Sequence, residues 1–248
     1  MKLGVIGGSG LYDLPGLDEV SQRTVMTVWG APSAALSHGR LNNVELFFLP
    51  RHGSNHHLPP HLINYRANLA ALADVGVEAI VATAAVGGIE YAAGIGAIVV
   101  PHQVIDYTYG REHTYADGTQ PHPQHVDFTE PYTPRLREAL IAAAGDAGIA
   151  VRAQGVYGST QGPRLESAAE IDRLERDGCT IVGMTGMPEA ALARELGIEY
   201  ANISLVVNPA AGRAKGEITM ADIERELANG MGRIRSVIAA LTARLGGP

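Results

Sequence analysis

The chain has 248 residues, 46% hydrophobic and 18% charged, with a formal net charge of −7 and a single cysteine, Cys179. That is enough chain for a sizeable globular core, while the acidic balance excludes the basic footprint of a nucleic-acid binder and no Lys/Arg cluster suits an anionic membrane surface. One cysteine excludes an internal disulfide framework; no run approaches the roughly 18 apolar residues of a membrane span; and MKLGVIGGSG lacks the apolar segment and cleavage site of a signal peptide, so a cytoplasmic protein is expected.

Short apolar runs alternate with helical patterns along the chain, which predicts an α/β fold. KLGVIG opens as a buried strand and VELFFLP is another, stopped by Pro50. INYRANLAALADVG sets Ile63, Ala67, Ala70 and Ala71 at helical spacing, and Gly76 ends it. VEAIVATAAVGG runs as a strand into a glycine turn, and GAIVVPHQVI follows. TPRLREALIAAAGDAG predicts a helix with Thr133 as N-cap and Pro134 at the first position. IAVRAQGVYGSTQGPR predicts a strand leading into a polar loop, SAAEIDRLERDG a helix capped by Ser167, TIVGMTG a strand and MPEAALARELG a helix. IEYANISLVVN reads as a fully buried strand, and a long amphipathic helix begins near Thr219 with Asp222 in its first turn. No linker or repeat divides the chain. The longest irregular stretch, residues 107–131, carries three of the nine histidines, and a loop of that length in a compact domain is usually functional or an interface arm.

GVIGGSGL has the look of a phosphate loop but matches neither common pattern. Asp13 stands where a dinucleotide fingerprint needs its third glycine, no Gly-Lys-Ser/Thr follows, and Pro15 and Gly16 argue against a long helix there. It remains either a tight glycine turn or a turn that offers backbone N–H groups and the Ser9 hydroxyl to an anion. LPRHGSNHHLPPHLINYRAN gathers Arg51, His52, His56, His57, His61 and Arg66, but its spacing fits no zinc motif, so no metal is expected. Arg51 stands just beyond a strand tip, where α/β folds place ligands, and a guanidinium there suits a phosphate. Gly87 and Gly88 form a second strand-to-glycine turn. Glu166 precedes a helix, where the dipole alone would favour it. Asp106 lacks a clear partner, and Cys179 has no adjacent base and reads as packing. No nucleophile system emerges, and these residues alone point to an α/β enzyme with an anion site.

Taken in order, GVIGGSGL, LPRHG, NYRANL, AAVGGI, QGPRLES, VGMTGMPEA and VVNPAAG resemble the trimeric purine nucleoside phosphorylase and methylthioadenosine phosphorylase family, from Leu3 to the last helix. The resemblance implies one α/β domain, residues 1–248, built on a twisted mixed sheet partly closed into a barrel and flanked by helices. It also implies cleavage of a purine nucleoside by orthophosphate as co-substrate, without a cofactor, in a homotrimer or a dimer of trimers. Ser9, Arg51, His52 and Thr185 match the family's phosphate contacts, with the backbone N–H of Ala85. Ala84 stands where members usually carry Asn or Thr, so a side-chain contact is missing there. Met184 matches the residue under the ribose, Glu166 and Asn208 match the base readers, Ala210 adjoins them, and His125 resembles a residue contributed by a neighbouring subunit.

The identities of the base readers carry information. A 6-oxopurine shows acceptors at N7 and O6, whereas adenine shows a donor at its 6-amino group. The Asn208 amide can present its N–H donors to N7 and O6, and an ionised Glu166 can accept from N1–H, which adenine lacks. At the 5′ end of the sugar, Met220 stands where inosine-type members place a histidine, and Ile223 one turn on extends an apolar wall suited to a methylthio group. The combination resembles the branch that cleaves S-methyl-5′-thioinosine to hypoxanthine and S-methyl-5-thioribose 1-phosphate. A general phosphorylase for inosine and guanosine is the alternative. Methylthioadenosine cleavage is disfavoured by Asn208 with Glu166, and a non-catalytic nucleotide-binding module by the retained phosphate residues.

Overall fold

A computed structural model describes residues 1–11, 16–90, 93–119 and 125–247. Asp13, Pro15 and residues 120–124 of the long irregular stretch lie outside the described residues. The strands are β1 (Lys2–Gly7), β2 (Asp18–Arg23), β3 (Leu36–Leu41), β4 (Val44–Pro50), β5 (Ala79–Gly88), β6 (Ile98–Val99), β7 (Gln103–Asp106), β8 (Val156–Ser159), β9 (Ile181–Gly183) and β10 (Glu199–Pro209). The helices are α1 (Tyr65–Asp74), α2 (Pro134–Asp146), α3 (Ala168–Arg176), α4 (Glu189–Glu195) and α5 (Met220–Gly246). All of the helices expected from the sequence form. Gly76 follows α1 with a φ of 81°, and Ser167 caps α3 in a capping box with Glu170. Thr133 sits at the N-cap of α2, but its hydroxyl accepts from the Tyr200 backbone N–H rather than capping the helix. The hairpin β2–β3 has no apolar signature: DEVSQR is exposed throughout and pairs antiparallel with β3 at the sheet edge.

The mixed sheet runs β2-β3-β4-β1-β5-β9-β8-β7, with β10 joined to β5 and β6. Its central strands are apolar on both faces because helices cover both sides. On one face α2 and α5 contribute Leu136, Leu140, Ile234, Val237, Ile238 and Leu241 to a core with Leu3, Val5 and Val81. On the other, α1 and α4 set Leu69, Leu72, Ala190 and Leu192 against Ile6, Phe47 and Ile80. The sheet only partly curls on itself. β10 pairs with β6, β7 pairs with β8, and these two arms meet only at an isolated parallel bridge between Val99 and Arg152, just before β8, rather than in a continuous ladder.

The site is placed by a split in this sheet. β10 pairs along the whole of β5, from Ala79 to Gly88. On the opposite edge, β1 pairs only from Ala79 to Ala82, and β9 only at Gly87 and Gly88. Among the described residues no strand pairs with residues 83–86 on that edge. The turn after β1 passes directly against the split. The Gly8 N–H donates to Thr83 Oγ1 at 2.8 Å, and a Cβ on Gly8 would lie 2.5 Å from the Thr83 carbonyl oxygen.

Two glycine substitutions separate close approach from idle conformational freedom. A Cβ on Gly88 would lie 2.0 Å from the Ala93 carbonyl oxygen, whereas one on Gly232, inside α5, would have nothing within 4 Å. Gly88→Ala should destabilise the protein by at least about 1–3 kcal/mol, and Gly232→Ala should stabilise it by about 0.5–1 kcal/mol. Urea unfolding midpoints measure both, and a wild-type midpoint for Gly88→Ala would contradict the packing at the end of β5.

Candidate active site

A cavity of about 530 Å³ opens at the split. The ends of β1, β4, β5, β9 and β10 and the start of α5 line it. It brings together Ser9, Arg51, His52, Ala84, Ala85, Glu166, Met184, Thr185, Asn208, Ala210, Met220 and Ile223. Every site residue expected from the sequence is therefore at one cavity except His125, which is exposed and does not line the cavity of its own chain.

At the closed end lies Arg51, 1% exposed. Its Nε and Nη2 donate to the two carboxylate oxygens of Glu189 at 2.7 and 2.8 Å, and its Nη1 donates to the Thr83 carbonyl at 2.8 Å. Arg51 thus fills, with a side chain, the place along β5 where a strand neighbour is missing. Burial alone would lower its pKa, but the Glu189 carboxylate more than offsets this and holds it above the ordinary value. Glu189 takes the Nε–Nη2 edge and Thr83 one N–H of Nη1, which leaves one outer N–H on each of Nη1 and Nη2. Glu189 is itself fully buried, begins α4, and accepts a further hydrogen bond from Tyr200 at 2.7 Å. Ala85 points its backbone N–H to the same edge of β5 as Thr83, two residues before, because these groups alternate along a strand.

His52 shapes the same end. Its Nδ1 donates to the Leu58 carbonyl at 2.8 Å, which leaves Nε2 as the unprotonated nitrogen of a neutral ring. Burial and then the neighbouring Arg51 charge hold its pKa down to about 4. The His56 ring lies 4.5 Å away, and burial lowers its pKa as well. The Arg51 charge is balanced by Glu189 and His52 is neutral at neutral pH, so this end presents N–H and hydroxyl groups rather than excess charge. Thr185, 8% exposed, adds one such hydroxyl.

The opposite wall carries Glu166 and Asn208. Glu166 Oε1 accepts from the Thr160 hydroxyl at 2.6 Å, and the Thr160 N–H is bonded to the Gly183 carbonyl at the end of β9. Asn208 reaches the wall through a β-bulge: the register of β10 on β5 shifts between Val206 and Asn208, inserting Val207 and re-aiming the residues that follow. Asn208 is 9% exposed, and its Nδ2 donates to the Pro209 carbonyl at 2.7 Å. One amide N–H, rather than the two expected, is therefore free for a ligand, together with Oδ1. At the mouth, Met220 is the first residue of α5 and 66% exposed, with Ile223 half-buried behind it. Burial thus falls from the anion end to the mouth.

Sequence reasoning overlooked Glu189 and Arg111. Glu189 is the one acid in the run GMPEAALA, which is the signal that could have found it. Arg111 sits in the irregular stretch, and no periodicity marks it. Asp106 accepts from the Thr108 N–H in its own turn, and Cys179 is buried as packing.

The buried pair and the neutral histidine each make a testable statement. Glu189→Gln leaves a buried guanidinium without its counter-charge and should destabilise the protein by about 3–5 kcal/mol, read from urea unfolding. An unchanged midpoint would mean that Arg51 finds another partner. For His52 the folded pKa of about 4 lies below the ordinary 6.5. Above pH 6.5 the ring is neutral in both states and contributes nothing. Below it the unfolded chain takes the proton first, so folding stability falls by about 3 kcal/mol as pH drops to 4. The stability of His52→Asn should lack this component, and parallel pH profiles for the two proteins would exclude it.

Comparison with known proteins agrees in sequence and in shape. Residues 2–243 match the model of the phosphorylase superfamily. A probable S-methyl-5′-thioinosine phosphorylase from Pseudomonas syringae pv. tomato is 53% identical over 235 residues, covering 95% of this chain and 96% of the relative. The 6-oxopurine nucleoside phosphorylase of Pyrococcus furiosus is 44% identical over 227 residues, covering 90% and 84%. Methylthioadenosine phosphorylase from Schistosoma mansoni, solved in complex with adenine, superposes with a TM-score of 0.94 at 32% identity, covering 99% of this chain and 92% of that one.

Proposed function

Since the chain belongs to the phosphorylase superfamily, we propose that it cleaves S-methyl-5′-thioinosine with orthophosphate, yielding hypoxanthine and S-methyl-5-thioribose 1-phosphate. The observation that carries this reading is the company Met220 keeps: a thioether at the mouth of the cavity whose walls present Asn208 and Glu166. The anion end takes phosphate on Ser9, Thr185, the Ala85 N–H and the outer N–H groups of Arg51, while His52, its Nδ1–H spent on Leu58, accepts through Nε2 from the P–OH of hydrogen phosphate. Met184 packs under the ribose, and Ala210 adjoins the base. The free Asn208 N–H faces N7 and O6, and Glu166 accepts from N1–H. Met220 and Ile223 receive the methylthio group.

The reaction needs no covalent enzyme intermediate. The bond from C1′ to N9 stretches first, and its electrons pass into the purine, where Asn208 stabilises the charge building at N7. An oxygen of hydrogen phosphate held on the opposite face then bonds to C1′ of the oxocarbenium-like sugar, and the proton that the phosphate gives up ends on the departing purine, which leaves as neutral hypoxanthine. Catalysis is positioning and electrostatic preorganisation. No cofactor takes part. The enzyme works in the cytoplasm as a homotrimer, or a dimer of such trimers, in which His125 completes a neighbour's pocket. Among the described residues no helix is long and apolar enough to cross a membrane.

A second reading, cleavage of inosine and guanosine, is favoured by the 66% exposure of Met220, which leaves the 5′ wall open enough to admit a hydroxyl. Methylthioinosine, inosine, guanosine and methylthioadenosine, each assayed with and without phosphate, separate these readings. Methylthioinosine should have the highest kcat/KM, and no base should be released without phosphate. Asn208→Asp sets a carboxylate against two acceptors and should lower kcat/KM for methylthioinosine by about 10- to 100-fold, with a relative gain for methylthioadenosine. Adding Glu166→Ser should extend that gain by more than the single effects combined. A ratio fixed at the wild-type value in the folded double variant would remove both residues from base reading.

A further inference from the structure

Arg111 lies in the irregular stretch after β7, is 8% exposed, and spends its whole guanidinium on neutral oxygens. Nε donates to Gln161 Oε1 at 3.0 Å. Nη1 donates to the Met184 carbonyl at 2.9 Å, the Met187 carbonyl at 2.6 Å and the Tyr65 hydroxyl at 3.1 Å. Nη2 donates to the Gln161 carbonyl at 2.7 Å and the Thr160 carbonyl at 3.3 Å. The guanidinium also lies 5.3 Å from the centroid of the Tyr65 ring. Burying a cation among uncharged acceptors is expensive, and nothing in the fold of the outer loop demands it.

Two of these contacts, on the Met184 and Thr160 carbonyls, lead to the site. Met184 follows β9 and lines the cavity. Thr160 follows β8, and its hydroxyl holds Glu166. The two segments meet so closely that a Cβ on Gly162 would lie 2.4 Å from Met184 Sδ. The Thr160 N–H ties the strand ends at the Gly183 carbonyl, but beyond that bond the Met184 and Gln161 carbonyls cannot bond each other and take a shared donor instead. A planar fork with several N–H groups supplies it, where the point charge of a lysine could not.

We propose that Arg111 is a positioning residue for the nucleoside: it ties the Met184 carbonyl to the Thr160–Gln161 backbone and so sets the distance between the ribose-packing thioether and the base-reading Glu166. It touches neither substrate. The proposal rests on the assignment of Met184 and Glu166 to the nucleoside. Its signature is a loss in nucleoside recognition larger than the loss in phosphate recognition: Arg51, His52, Ser9 and Ala85 are held by other elements, and of the phosphate contacts only Thr185 lies on the segment that Arg111 ties.

The test measures both KM values, for methylthioinosine and for phosphate, in Arg111→Lys and Gln161→Leu, with folding checked by thermal melting. A small misplacement of positioning groups can change rates by about 100-fold. Arg111→Lys should raise the nucleoside KM by about 10-fold or more, and Gln161→Leu, which frees only the Nε edge, by less. The phosphate KM should move by much less in both. Met184→Ala and Glu166→Gln are measured alongside, and if neither raises the nucleoside KM, the assignment of the site fails rather than the role of Arg111. Given that these two do raise it, the proposal is overturned by a folded Arg111→Lys whose nucleoside KM is unchanged or rises no more than its phosphate KM. Should Arg111→Lys not fold, the same result in folded Gln161→Leu overturns it.

Discussion

Among the described residues, one edge of β5 lacks a strand neighbour over residues 83–86, and a buried ion pair fills the gap. An open strand edge inside a protein is costly unless its carbonyl and N–H groups find partners. Arg51 answers for the Thr83 carbonyl, Glu189 answers for Arg51, and Tyr200 adds a hydrogen bond to Glu189. Each of the three side chains is almost wholly buried, so none can move independently. The cavity exists because this chain of contacts fills the back of the split and leaves its front open.

The same arrangement decides the character of the closed end of the cavity. A free arginine at that depth would bind any anion strongly and release it slowly. Arg51 is already neutralised, and His52 carries no proton on Nε2 at neutral pH. What remains is a set of directed donors, whose value lies in geometry and in the exclusion of water rather than in net charge. The opposite wall follows the same economy: Thr160 fixes the Glu166 carboxylate and Pro209 fixes the Asn208 amide.

Much of this was legible in the sequence because strand ends and turns carry local signals. The apolar runs of β1, β4, β5 and β10 end in Gly7, Pro50, Gly88 and Pro209, and the site residues stand at or near those ends. The capping box of α3 and the glycine after α1 are equally local. The hairpin β2–β3 was not legible, because its first strand is exposed throughout and has no alternating apolar face. Glu189 was visible only as a helix-starting acid, since its partner lies 138 residues away in sequence. Arg111 was invisible for the same reason: its acceptors are backbone carbonyls, which no residue type announces. The bulge at Val207 likewise comes from pairing with β5 and cannot be read from β10 alone.

Burial falls steeply across the cavity, from 1% exposure at Arg51 through 9% at Asn208 to 66% at Met220. That gradient ranks the parts of the site by how freely they can diverge. An exposed position away from special contacts can usually change within about 0.5 kcal/mol of stability, whereas breaking a buried ion pair removes several kcal/mol. A lineage built on this scaffold can therefore exchange Met220 at the mouth with little penalty to the fold, revise Asn208 at moderate penalty, and must keep the Arg51–Glu189 pair. Diversity among such enzymes should accumulate from the mouth inward.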